Sequence, residues 1–331
     1  MSGRPASHVP ARGSPPSLLL GATAFCSLLL GCAAPLVVER EIDPLAILGP
    51  GALVYARLDG VAARSLAPAM LPPDQGKALA PLLKRTESMA FAIGARDSAG
   101  PAADKAKPGG AEAVRPDGDP KGGALPALDA VFLGDYPFRA ASLVLGSQPG
   151  WRREGQAFAN AATGIRAAVP GPAVMLASTG DYDDLLARVK TPPGSPIPRR
   201  LEALSSKELM VWVPEPFKRL AALFVGESMG IPARGLLVSA TRKPGAPGAE
   251  AVYVVTVAFA MTDANSARIF RPAFRLAWYL IARTLLTEEA DAALALHFSL
   301  DGELYWATGL ELHASTLAAS LGRLRGSMGT P

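Results

Sequence analysis

The chain has almost no cysteine: two in 331 residues, Cys26 and Cys32, and none beyond them. A body that starts after residue 32 has no thiol to spare for a disulfide, a thiolate zinc site or a cysteine nucleophile. Histidine is nearly as scarce, with only His8, His297 and His313. A two-histidine metal site also needs a carboxylate and the right fold, and nothing in the spacing of His297 and His313 favours one. A dominant charge is missing too. The 33 basic and 29 acidic residues leave +4, and no dense Lys/Arg block is interleaved with aromatics, so nucleic acid is excluded as a partner. Long apolar runs are also absent. The best, Leu18 to Leu30, has 13 residues, whereas a spanning helix needs about 20.

That short run has a context. Arg4 and Arg12 precede it with no acid before them, and it closes on Leu29-Leu30-Gly31-Cys32. A basic start, a brief apolar stretch and a small residue before a cut describe an export signal. With a cysteine at the cut, these four residues resemble the lipobox of bacterial lipoproteins. The resemblance implies diacylglyceryl transfer to the Cys32 thiol, cleavage between Gly31 and Cys32, and frequent acylation of the freed amine. One acyl chain binds a membrane marginally, at about 0.8 kcal/mol per buried CH₂, while two or three hold for good. The expected location is the bacterial cell envelope. Under the best-known sorting rule for such proteins, Ala33 in place of Asp after the lipid cysteine favours the outer membrane, facing the periplasm, with the inner membrane open.

The organisation expected is a signal peptide over 1–31, a lipidated tether over 32–44, a first α+β half over 45–190, a Pro-rich linker over 191–198 and a second half over 199–327. The tether from Ala33 to Ile42 reaches at most about 35 Å when extended, so the body stays beside the bilayer. Residues 96–126 hold Pro101, Pro108, Pro116, Pro120 and Pro126 with almost no large apolar side chain. That composition predicts a disordered insertion between two strands.

The two halves read as one plan used twice. In the first, strands are predicted near Leu53–Leu58, Met89–Ile93, Ala130–Leu133, Gln156–Ala161, Ile165–Val169 and Val174–Ser178. Helical spacing falls at Leu79, Leu82 and Leu83, over about Pro137–Leu145, and at Leu185, Leu186 and Val189. In the second, strands near Leu209–Val213, Leu236–Ala240, Ala251–Phe259, Leu294–Leu300 and Glu303–Thr308 alternate with helices. These are marked by Phe217, Leu220 and Phe224, by a long stretch Ala264–Leu286, and by Leu317, Leu321 and Leu324. Asp301-Gly302 is a hairpin signal. Each half then reads β-α-β-β-α-β with an added strand and helix, the ferredoxin-like order, so the fold class expected is α+β with two tandem antiparallel halves. One continuous sheet without pseudo-symmetry is the alternative.

Candidate chemistry is thin. Gly226-Glu227-Ser228-Met229-Gly230 fits the G-x-S-x-G nucleophile elbow, which needs a strand before the serine and a helix after it. Here a helical pattern precedes Ser228, and Ile231-Pro232 leads into a strand, so the segment reads as a helix end and loop. Asp291 with His297, or Asp301 with His313, would be its partners. Asp181, Asp183 and Asp184 suit a hard cation, but equally an N-cap with acids favoured by the helix dipole. Arg268, Arg271, Arg275 and Arg283 fall along one side of the long helix, beside Phe270, Phe274, Trp278, Ile281 and Leu285. Such a stripe docks on anionic headgroups or an acidic partner, or is simply a solvated face. Pro272 belongs in the helix's first turn or kinks it. Trp212 and Trp306 sit in strands, and Trp151 reads as a loop aromatic.

No phosphate loop, metal cluster, cofactor motif or credible triad is present. The expectation is therefore a membrane-anchored envelope lipoprotein with a non-enzymatic binding or scaffolding body. Its partners would be membrane lipid through Cys32 and an envelope protein. A membrane-tethered serine hydrolase using Ser228, and a solute-binding lipoprotein, are the rival readings.

Overall fold

In the computed structural model, which describes residues 42–70, 80–94, 127–147, 149–206, 208–219, 231–246, 249–286 and 290–320, the first element is set by Asp43. Its carboxylate accepts the Leu45 N–H at 3.0 Å, and Pro44 takes the first helical position, where no N–H is needed. The short helix α1 (Pro44–Leu48) follows. The first half continues through β1 (Val54–Asp59), α2 (Gly60–Met70), β2 (Thr86–Gly94), β3 (Ala127–Gly134), α3 (Phe138–Ser147), β4 (Trp151–Glu154), β5 (Ala157–Asn160), β6 (Ile165–Gly171), β7 (Val174–Ser178) and α4 (Tyr182–Lys190). After α5 (Arg199–Glu202), the second half runs β8 (Leu209–Pro214), α6 (Pro216–Arg219), β9 (Ala233–Arg242), β10 (Val252–Met261), α7 (Ala264–Ile269), α8 (Arg271–Leu285), α9 (Ala290–Leu294), β11 (Ser299–Asp301) and β12 (Leu304–His313).

The twelve strands of the described residues join one antiparallel sheet, in the order β11-β12-β10-β9-β8-β1-β2-β3-β7-β6-β5-β4. The α+β class expected from the pattern is therefore what forms. The halves meet at the pairing of β1 with β8, where Leu58 lies opposite Leu209 and Tyr55 opposite Trp212. The Pro-rich stretch between them lies against α1: Gly194 N–H donates to the Ala46 carbonyl at 3.3 Å.

The split βαβ order expected within each half is corrected by the register. In that arrangement the two strands flanking the first helix bracket a third. Here β1 and β2 flank α2 and pair directly, Leu58 opposite Met89, and β3 comes next. Element order is legible from periodicity, but adjacency is settled by which apolar faces meet across the sheet, and that is not written locally.

Three smaller corrections follow from local chemistry. The long helix expected over Ala264–Leu286 is two helices. Phe270, at φ −86° and ψ 5°, separates α7 from α8, and Pro272 sits in the first turn of α8. The strand expected at Leu294–Leu300 shrinks to β11, because α9 occupies Ala290–Leu294 and the Trp278 indole N–H donates to the Ala293 carbonyl at 2.7 Å. Trp151 is not a loop residue but opens edge strand β4, paired with Asn160. The Asp-Gly hairpin does form between β11 and β12, with Gly302 at φ +56°. The insertion at 96–126 and the closing helix signals Leu321 and Leu324 lie outside the described residues.

The sheet buries apolar side chains on both faces. On one face Leu58, Met89, Leu209, Leu236, Val257, Phe259 and Tyr305 form a core with Phe274, Trp278 and Ala282 of α8. On the other, Tyr55, Met210, Trp212 and Leu237 are buried, their registers alternating with the first set as the pleat requires. Arg57 sits on this second face, 8 % exposed. Its Nη1 donates to Asp43 at 2.7 Å and its Nη2 to the Ser206 carbonyl at 2.7 Å. One guanidinium thus joins the start of the body, the central strand and the lead into β8. Arg57→Met keeps the volume but strands both acceptors. We expect a loss of about 2 kcal/mol, below the usual range for a fully buried pair because Asp43 is partly solvated. Urea unfolding checks this; an unchanged midpoint would show that the link carries no stability.

Candidate docking surface

The face bearing the four expected arginines is built by helix caps and by the aromatic core beneath it. Asp263 starts α7: its carboxylate accepts the Ser266 N–H at 2.8 Å and the Ser266 hydroxyl at 2.7 Å. Those bonds hold the Asp263 carboxyl below the usual carboxylate range, so it stays charged at the helix start. α7 then delivers Arg268 and Ile269 to the surface. At the Phe270 break the chain turns into α8, whose inner side is fixed by Phe274. Phe274 is fully buried, with ring centroids 4.8 Å from Phe259, 5.6 Å from Tyr305 and 5.9 Å from Phe217. Trp278 and Ala282, four and eight residues on, complete the buried stripe.

With that stripe committed to the core, the arginines of α7 and α8 reach solvent around it. Arg268, Arg271, Arg275 and Arg283 are all exposed. Two of them are steadied by aromatics: the Arg271 guanidinium lies 5.9 Å from the Tyr305 ring centre, and that of Arg283 lies 5.8 Å from Tyr279, whose hydroxyl accepts from it. No carboxylate among the described residues pairs with any of the four. One residue along from the basic spacing 268, 271, 275 run Ile269, Pro272 and Leu276. Ile269 is 60 % and Leu276 55 % exposed. The result is a cationic strip edged by apolar side chains that nothing described covers. The spacing pointed to the arginines; the apolar edge was missed. Its signal was there, since Leu276 falls two residues from both Phe274 and Trp278, well round the helix from their stripe.

The other candidate residues separate by role. Asp181 is an N-cap: its carboxylate accepts the Asp183 and Asp184 N–H groups at 3.0 and 3.1 Å, and Arg188 and Lys190 sit in the last turn of α4. Asp184 pairs with Arg188 one turn on. Asp181 and Asp184 thus serve the helix, while the Asp183 carboxylate lies 3.8 Å from Arg166 of β6, and among the described residues no group of three His, Cys, Asp or Glu is placed to hold a metal. His297 is exposed before β11, its Nδ1 3.3 Å from the Ala295 carbonyl; His313 ends β12, 3.7 Å from Glu250. Trp212 is buried as expected, and Trp306 partly so. Half-buried Asp129 has its pKa raised because burial disfavours its charge, although the Ser178 hydroxyl donates to it at 2.6 Å. Gly31, Cys32 and Ser228, with the Gly226–Gly230 motif, lie outside the described residues. No helix among the described residues is long and apolar enough to cross a membrane.

Comparison with known proteins places the fold and nothing finer. No protein family matches the chain, and no curated protein does. Among solved structures, crystal form III of TP0453 aligns with a TM-score of 0.58 at 16 % identity, covering 86 % of this chain and 99 % of that one. Crystal form I gives 0.57 at 15 %, covering 87 % and 100 %. Crystal form IV gives 0.56 at 15 %, covering 85 % and 97 %. The chain therefore shares its architecture with TP0453 over nearly the full length of that protein.

Proposed function

We propose that this chain is a membrane-anchored envelope lipoprotein whose folded body is a non-enzymatic binding or scaffolding module. In this reading Cys32 carries the lipid, and the strip of Arg268, Arg271, Arg275 and Arg283 is where an acidic envelope protein docks. The observation that carries it is a grouping on the consecutive helices α7 and α8: four exposed arginines, none paired with a carboxylate among the described residues, with exposed Ile269 and Leu276 beside them. Arginines beside exposed apolar groups are typical of interface cores, where charge steers encounter and apolar burial holds the complex. A tether of the length of Ala33–Ile42 would keep that face within reach of a bilayer-bound partner.

Crosslinking followed by pull-down from intact cells tests the reading. The triple variant Arg268→Glu, Arg271→Glu, Arg275→Glu should recover at least tenfold less of a specific acidic partner, about 1.4 kcal/mol of binding. Its melting temperature should stay near wild type, since all three side chains are exposed. Cys32→Ser should leave the membrane fraction. Equal recovery by the triple variant would remove the docking surface from the proposal. Membrane retention by Cys32→Ser would remove the anchor, and fluorophosphonate labelling lost in Ser228→Ala would replace binding with catalysis.

A further inference from the structure

A second feature lies wholly within the first half, away from the arginine strip. The β4–β5 turn, β6 and the first turns of α4 enclose a cleft of about 370 Å³. Glu154, Gln156, Arg166, Tyr182, Asp183 and Leu186 line it. Two polar atoms there are buried without a hydrogen-bond partner among the described residues: Arg166 Nε and the Tyr182 hydroxyl. Tyr182 is 1 % exposed. The Arg166 guanidinium lies 5.7 Å from the centre of the Tyr182 ring, so each side chain orients the other. Burial, and then the charge of Asp183, push the Tyr182 phenol up to about 12. It is therefore a protonated donor at any physiological pH.

Two carboxylates flank the guanidinium but do not satisfy it. Glu154 Oε2 is 3.9 Å from Arg166 Nε, and Asp183 Oδ2 is 3.8 Å from Nη1, both beyond hydrogen-bond length. A native structure keeps few buried donors unmet, and those it keeps call for an explanation. The charges narrow what would meet these. One arginine and two carboxylates give the lining a formal charge of −1. A simple anion would answer the two donors but face both carboxylates. A simple cation would suit the carboxylates and leave the donors unmet. A molecule with an acceptor at one end and an ammonium at the other answers all four groups.

We propose that this cleft binds a small zwitterion of the amino-acid or dipeptide class, its carboxylate received by Arg166 and Tyr182 and its ammonium by Glu154 and Asp183. The volume falls within the range of small-molecule sites, roughly 300–1,000 Å³. Only oriented binding is invoked, with no covalent step.

Titration calorimetry on the full chain with L-alanyl-L-alanine tests this, with acetate and n-butylamine as the two half-ligands. Saturable dipeptide binding is expected, weakened at least tenfold by Arg166→Gln and several-fold by Tyr182→Phe. Tyr182→Phe should also melt no lower than wild type when unliganded, because it deletes a buried hydroxyl that has no partner. Should Arg166→Gln fold poorly, the conservative Tyr182→Phe and Asp183→Asn variants decide alone. The proposal is overturned if the dipeptide shows no saturable binding up to about 10 mM. Acetate binding as tightly as the dipeptide would overturn it too, as would full affinity in Tyr182→Phe and Asp183→Asn. None of these readouts depends on the arginine strip, so this site and that surface stand or fall separately.

Discussion

Phe274→Ala is expected to destabilise the body by about 3–5 kcal/mol, the range for deleting a fully buried phenylalanine. Phe274 has no exposed surface, and its ring meets Phe259, Phe217 and Tyr305 at once. Those neighbours belong to β10, the segment after β8 and β12. Phe259 and Tyr305 are held by the sheet and cannot collapse into the space left behind, so the cost should lie toward the upper end. Urea unfolding would read it as a lower midpoint with an unchanged slope. Leu276→Ala, two residues along the same helix but 55 % exposed, is the control and should stay within about 0.5 kcal/mol. Equal effects from the two would mean that α8 presents a different side to the sheet.

The second large effect is expected at Gly235. It lies near the start of β9, opposite Pro214 and beside Trp212, whose ring lies where a β-carbon on residue 235 would be. Trp212 is 2 % exposed and has no room to retreat. Gly235→Ala should therefore cost about 3 kcal/mol through overpacking, the high end for one added carbon. A double-mutant cycle isolates the cause. Trp212→Leu is damaging alone, but in its presence Gly235→Ala should cost less than about 1 kcal/mol. Additive losses would place the strain in the backbone instead of the indole.

How much of this was legible beforehand depends on whether the signal is local. β1, β2 and β7 could be read to within a few residues, because each alternates or runs apolar between turn residues. Asp181 as a cap was also legible, being an N-cap type followed by acids in the first turn. Edge strand β4 was not, because Trp-Arg-Arg-Glu carries no apolar alternation and is held by its partner's backbone. The break at Phe270 was signalled by Pro272 but not placed, since aromatic and basic residues continue helical spacing straight through it. Adjacency of β1 with β2 and with β8 depends on pairings between segments far apart in the chain. The arginines could be found because they share one stretch. The cleft could not, since Glu154, Arg166 and Tyr182 come from three elements that only the folded sheet brings together.

The junction of β1 with β8 has a consequence for handling the protein in pieces. Cutting within 191–198 would sever the backbone without freeing either side, because the central ladder and the Arg57 clamp bridge the cut. Fragments made separately would each present a bare, apolar β-edge, a template for self-association. Made together, they should reassemble by complementation, which recommends the Pro-rich stretch as a split point for a two-fragment reporter.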